Sequence, residues 1–356
     1  MDWCFFKSQQ GKKQFQTSQG RWYFKQPKNR PDFVFSPHRQ LEDLWSQVCA
    51  LHLAKLVGIH VPEVYMVIPM YWYRVMKDSR NHARISASLF SYELKSFTEL
   101  STFYKTLQKL NQPFELYDRP ELLLEQLSYA EKLALGQLYA TALWLGHWDL
   151  ANNIDFANAG FYQCPKTNQL LPVLIDGGNA LDEGFHGYTK FDTISLFARQ
   201  NSENRINHNQ DDFETRRFGY EHLSPLNDKV YPFLPRFLFD QKKLFWTDPA
   251  VVSGFVKQAA IIAKIKRVDL KDTIRQCWHY VVDADGVQRK QPAAVLKYAL
   301  KKNRSRWYPG PSNKEILDDL MKRAKHLTVL AKKIEGAATK DATAIDNILV
   351  NHCVQF

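Results

Sequence analysis

The sequence predicts an α+β chain in two lobes. A small β-rich N-terminal part with one main helix spans residues 1–95, and a larger helical part with one hairpin spans residues 96–356. Three observations lead there. The first 35 residues alternate aromatic and polar positions between turn formers. One helical stretch and further strand-like runs follow before residue 95. The remainder carries helical spacing, interrupted by one pair of short apolar runs near residues 159–175.

Taken in order, Asp2–Ser8 reads as a short aromatic strand and Gln9–Lys13 as a turn. Gln14–Thr17 and Arg21–Gln26 read as strands separated by Ser18-Gln19-Gly20. Prolines mark Pro27 to Pro37 as turn-rich. In LEDLWSQVCALHLAKLVG, Leu44, Val48 and Leu51 fall at helical spacing and Gly58 is a stop. Val64–Ile68, Tyr71–Met76 and Ile85–Leu94 read as strands. Ser128 with Glu131 forms a capping-box pattern, and a helix continues through Leu133–Leu145. The hairpin is Ala159–Gln163 and Leu171–Ile175 around a turn at Pro165–Gln169. Ser312 and Glu315 cap a last helix with Ile316, Leu320, Ala324, Leu327 and Ile334 on one face. Beyond the hairpin the only pattern is helical.

Composition narrows the class. Of 356 residues, 45% are hydrophobic, enough for a substantial core. No apolar run reaches the roughly 18 residues of a membrane-spanning helix, and MDWCFFKSQQGKK lacks the pattern of a signal peptide. The five cysteines are scattered, with no CxxC pair, which argues against a zinc site or a disulfide framework. A reducing, cytoplasmic compartment is the expectation. The net charge of +11 is concentrated: from Lys257 to Lys333, 19 Lys and Arg stand against 7 Asp and Glu, leaving the rest near −1. Such a region suits a polyanion. Its candidate contacts are Lys264, Lys266, Arg267, Lys271 and Arg275, then Lys297, Lys301, Lys302, Arg304 and Arg306. The plain alternative is a set of solvated helix faces. KYALKKNRSRWY interleaves basic and aromatic residues, as phosphate contact with base stacking requires. It matches no folded nucleic-acid module, so nucleic acid ranks last among the partners.

One stretch concentrates the chemistry. In LPVLIDGGNALDEG a buried-strand pattern ends on Asp176 and two glycines. Asp before Gly-Gly is usually a turn. It is also how a rigid strand would deliver a carboxylate to a hard cation. Phosphoryl transfer needs a cation on the nucleotide phosphates, ligands for Mg²⁺ and a carboxylate facing the acceptor hydroxyl. In RWYFKQ, Trp22 and Phe24 share one face and Tyr23 and Lys25 the other, so Lys25 is a candidate for the first part. Asp176 and Asn158 flank the hairpin as candidate metal ligands, and Asp149 in GHWDLANN ends a helix as the candidate acceptor-facing carboxylate.

In this order the residues resemble the protein-kinase-like superfamily, above all the HipA-type kinases and the type II phosphatidylinositol 4-kinases. YFKQP is similar to the strand that carries the nucleotide lysine. QVCALHLAKLVGIHVPEVYMVI is similar to the helix, glycine and strand that follow. ALWLGHWDL resembles the helix ending in the catalytic-loop Asp, and NAGFY with LPVLIDGGNAL resembles the metal-binding hairpin. The similarity covers about residues 15–182. It implies a two-lobed protein-kinase-like fold, with a small β-rich N-lobe and a larger helical C-lobe. It implies ATP with Mg²⁺ or Mn²⁺ as cofactors. Lys25 would bind phosphates beneath a turn containing Gly11, Lys12 and Lys13. Asp149 would be the catalytic carboxylate, and Asn158 and Asp176 would hold the metal. The adenine-contacting strand would end near Tyr92 and Leu94, and the segment from Gly177 to about Lys190 would be mobile.

Departures keep alternatives open. The helix position expected to carry a glutamate for Lys25 holds Gln47, which can hydrogen-bond the lysine but not neutralise it. Glu42 is a second candidate. Nine residues, rather than the family's five, separate Asp149 from Asn158, so Asn153 competes as ligand and Asp155 as base. The expected function is an ATP-dependent protein kinase, with a protein as substrate. A phosphoinositide kinase facing anionic headgroups and a pseudokinase scaffold are the alternatives. The C-terminal basic surplus suggests regulation by a polyanion such as inositol hexakisphosphate. Divergent kinases of this kind resemble secreted bacterial effectors, which would place the protein in a host cell after delivery by a specialised secretion system.

Overall fold

Hairpin pairing of successive strands opens the chain in the computed structural model. The structure describes residues 4–7, 13–17, 20–25, 37–68, 88–103, 121–147, 158–178, 180–181, 248–283, 293–294, 296–297 and 313–338. Strands β1 (Cys4–Lys7), β2 (Lys13–Thr17) and β3 (Gly20–Lys25) run antiparallel. Helix α1 (Pro37–Leu56) follows and ends at Gly58, whose φ of +86° an L side chain resists. Strand β4 (Val64–Ile68) then pairs antiparallel with β5 (Ser88–Tyr92), and β5 pairs with β3.

Register sorts this sheet into two faces. Val64, Met66, Ile68 and Leu89 are buried in the main core with α1. The opposite face carries Trp22 and Phe90, buried among Phe24, Tyr65, Val67 and Tyr92. The period of two in strands produces this split, as the RWYFKQ pattern predicts. Lys25, opposite Leu89, belongs to the α1 side.

The second sheet is small. Strand β6 (Phe97–Glu99) pairs with β7 (Ala159–Gln163), which pairs with β8 (Leu170–Leu174). The two sheets meet where the loop after α1 reaches β8. His60 N–H donates to Pro172 O at 2.8 Å, and Leu174 N–H donates to His60 O at 3.0 Å. The His60 ring stacks on Tyr162 with centroids 4.4 Å apart.

Helices α2 (Glu121–Gln126) and α3 (Tyr129–Leu145) precede that hairpin. The predicted capping box is present: Ser128 Oγ accepts from Glu131 N–H, and Glu131 accepts from Ser128 N–H. Gly146 closes α3 at φ 61°. Helix α4 (Pro249–Ala263) begins at Asp248, whose carboxylate accepts from Ala250 and Val251 N–H. Helices α3 and α4 cross at glycines: a Cβ on Gly136 would lie 2.0 Å from Val251 O, and one on Gly254 would lie 1.9 Å from Leu133 O. Helix α6 (Asn313–Ala338) buries the predicted stripe of Ile316, Leu320, Ala324, Leu327 and Ile334. Trp144 Nε1–H donates to Leu320 O at 3.0 Å and ties α6 to α3.

Two expectations are corrected. Ile85–Leu94 stops as a strand at Tyr92, the end of β5, although Glu93 N–H still donates to Arg21 O at 2.8 Å beside it; residues 85–87 lie outside the described residues. The stretch beyond the hairpin is not helical throughout. After helix α5 (Arg267–Gln276) and a 3-10 turn (Cys277–Tyr280), β9 (Val281–Asp283) joins the first sheet parallel to β4, giving the order β1-β2-β3-β5-β4-β9. A strand this short leaves no period to read. The predicted strand Tyr71–Met76 and cap Ser312 lie outside the described residues.

Candidate active site

Three elements converge at one point. Lys25 closes β3, Gln47 lies in the middle of α1, and Asp176 stands two residues beyond β8. Lys25 Nζ donates to Gln47 Oε1 at 3.0 Å and to both oxygens of Asp176, at 3.1 Å to Oδ1 and 2.9 Å to Oδ2. The pair is partly buried: the Lys25 side chain keeps 41% of its surface and Asp176 keeps 26%. Burial pushes the Asp176 carboxyl up, but the Lys25 charge and hydrogen bond, the Gly178 N–H and His147 outweigh it and hold the carboxyl below its ordinary value. The Gly178 N–H reaches Asp176 Oδ1 at 2.9 Å.

The turn after β8 is held along its length. His147, just past the end of α3, is buried, and its Nε2 lies 2.7 Å from Asp176 O. A carbonyl only accepts, so Nε2 carries the proton. Ser46 Oγ donates to Ala180 O at 3.0 Å, and Leu181 N–H donates to Leu145 O at 2.7 Å. A Cβ on Gly177 would lie 2.4 Å from Gln47 O, so α1 sits directly on the Asp176-Gly177 backbone. Gly177 is needed for this close approach to α1. Residues 182–190 lie outside the described residues.

Asn158 and Asp176 lie at the same end of the β7–β8 hairpin. Ile175 N–H donates to Asn158 O at 3.0 Å, so the two candidates share the open end of the β7–β8 hairpin. Among the described residues no group of three His, Cys, Asp or Glu could hold a metal ion. One carboxylate and one amide oxygen suit Mg²⁺, which keeps several waters and takes its remaining ligands from substrate phosphates. Asp149, Asn152, Asn153 and Asp155 lie outside the described residues, as do Gly11 and Lys12; Lys13 begins β2 opposite Phe24. Tyr92 ends β5, lies opposite Trp22 and packs edge-on against it at 5.0 Å, on the face away from Lys25.

The basic candidates fall into two groups. Lys264, Lys266, Lys271 and Arg275 are exposed around the α4–α5 corner, and Lys297 is exposed nearby in sequence. Arg267 pairs with Asp318 of α6, and Arg275 lies 3.6 Å from Asp272. Lys301, Lys302, Arg304 and Arg306 lie outside the described residues. No described helix is long and apolar enough to cross a membrane.

Sequence reasoning missed Ser46, His147 and Trp45. Each is buried and acts through backbone contacts or stacking, which no spacing pattern announces.

No protein-family model and no curated protein matches the chain. Among solved structures it is similar to the crystal structure of a Helicobacter pylori proinflammatory kinase, CtkA. The two are 12% identical with a TM-score of 0.40, over 89% of this chain and 95% of that one.

Proposed function

We propose that the protein is an ATP-dependent phosphotransferase acting on a protein hydroxyl. The observation that carries the proposal is the contact of Lys25, at the end of the third strand, with Gln47 of the next helix and the Asp176 carboxylate. In protein kinases a β3 lysine contacts the nucleotide phosphates, a residue of the following helix steadies it, and an Asp after a later strand holds Mg²⁺. Without nucleotide, Lys25 and Asp176 neutralise each other. A triphosphate between them would take the lysine through its oxygens and bring Mg²⁺ to Asp176 and Asn158. The metal would spread the negative charge that develops on the transferred phosphoryl group. Asp149 or Asp155 would orient the acceptor hydroxyl. Gln47 leaves Lys25 fully cationic toward the phosphates, where a glutamate would share its charge.

Regulation by a polyanion such as inositol hexakisphosphate is part of the same proposal. Its support is the exposed cations at the α4–α5 corner.

The test is transfer of labelled phosphate from ATP with Mg²⁺ or Mn²⁺, with and without inositol hexakisphosphate. Protein substrates and phosphatidylinositol vesicles run side by side. Asp176→Ala is expected to lose transfer to background while keeping its melting temperature within a few degrees. Normal turnover by that variant would refute the site. Labelling of lipid alone would move the acceptor from protein to phosphoinositide. ATP binding without transfer under every condition would make the chain a pseudokinase.

A further inference from the structure

Three consecutive residues of α1 point to three different places. Gln47 accepts from Lys25, Ser46 donates to Ala180 beyond Asp176, and Trp45 stacks on Trp278 with centroids 5.3 Å apart. Trp45 does not stand alone. One helical turn further on is Cys49, fully buried like Cys277, whose thiol donates to Thr273 O at 3.2 Å. One more turn on, His52 stacks on Tyr280 at 3.8 Å. The matched series Trp45, Cys49, His52 against Trp278, Cys277, Tyr280 seats one face of α1 on the 3-10 turn. The same turn runs into β9, which is hydrogen-bonded along β4. So residues 277–283 grip both the helix that carries Gln47 and the edge of the sheet that carries Lys25.

We propose that this C-terminal turn, through the stacking of Trp278 on Trp45, positions Gln47 against Lys25 for nucleotide binding. Trp278 is a positioning residue: it touches no reacting group and acts through α1. A neutral glutamine makes such support necessary. A glutamate would be drawn to Lys25 by charge at a distance, whereas a hydrogen bond to an amide oxygen fails within a few tenths of an ångström. Position must then come from packing, and α1 finds it on the C-terminal turn. The inference rests on the proposed nucleotide role of Lys25.

The experiment is a double-mutant cycle on the full chain, read as ATP affinity by calorimetry and as KM for ATP in the transfer assay. Gln47→Ala is expected to weaken ATP by about tenfold, the worth of a hydrogen bond to a charged group. Trp278→Ala is expected to weaken ATP by a similar factor, and to add little in the Gln47→Ala background, because both changes remove one interaction. Trp278→Phe, which keeps a stacking ring, should recover most of the affinity. Leu327→Ala on α6 controls for general destabilisation and should lower the melting temperature without moving KM for ATP. Independent, multiplying losses from Trp278→Ala and Gln47→Ala would overturn the proposal. So would a Trp278→Ala effect no different from Leu327→Ala. If the unaltered chain binds no ATP, the phosphotransferase assignment itself falls. That result is distinct, because it needs no variant to see.

Discussion

Asp176 is a carboxylate whose ionised form is favoured by its neighbours despite burial. A group with a lowered folded-state value contributes stability that is present above its unfolded value, about 3.9 for Asp, and lost as pH falls through the folded value. The stability difference between the unaltered chain and Asp176→Asn should therefore be constant from pH 7 to pH 5 and shrink below about pH 4. Urea midpoints at each pH would measure it. A difference that already falls between pH 7 and pH 6 would mean that another group holds the charge. Gly177 makes the other residue-scale prediction. An alanine there would meet Gln47 O at 2.4 Å and press on α1 backbone, which cannot swing aside as a side chain can. Gly177→Ala should raise KM for ATP several-fold, with the Lys25–Gln47 contact broken. At both residues the sequence showed the identity and hid the reason. Asp before Gly-Gly was legible, but whether a glycine turns the chain or admits a helix depends on Gln47, a neighbour 130 residues away.

At the scale of elements, the α3–α4 crossing depends on reciprocal glycines, each facing a carbonyl of the other helix. Gly→Ala inside a helix ordinarily stabilises by up to about 1 kcal/mol. Here the sign should reverse. Gly254→Ala is expected to destabilise by roughly 1–3 kcal/mol as the helices are forced apart, read as a lower urea midpoint. An unchanged or higher midpoint would show that the crossing is looser than described. The long periodic elements were legible in the sequence: α1 with its glycine stop, α3 with its capping box, the β7–β8 hairpin and the buried stripe of α6. Each repeats its pattern over enough residues, or carries enough local chemistry, to declare itself. β6 and β9 did not, because three-residue strands are stabilised by their partners rather than by their own sequence.

Across the whole molecule, charge is segregated. The exposed cations at the α4–α5 corner flank and line the helix that leads directly into the turn against α1. A polyanion bound there would interact with the folded chain alone and raise its melting temperature by mass action. The triple variant Lys264→Glu, Lys266→Glu, Lys271→Glu should abolish the shift given by inositol hexakisphosphate at low salt. The shift in the unaltered chain should itself fade as salt is raised. A shift retained by the triple variant would move the binding site elsewhere. The composition announced this surplus, and its location on a packed corner needed the fold.

Strand β9 also governs the order of events at birth. Val281 pairs with Met66, so the first sheet waits for the chain to be made almost to its last helix before its final strand arrives. Until then the hydrogen-bonding edge of β4 stays bare, an invitation to pairing with other nascent chains. A ribosome stalled before residue 281, or a proteolytic cut just ahead of it, would release a product that has its lysine and its aspartate and still lacks the strand that shields them from self-association. Completion of the first sheet is therefore set by residues 281–283, long after Lys25 and Asp176 have left the ribosome.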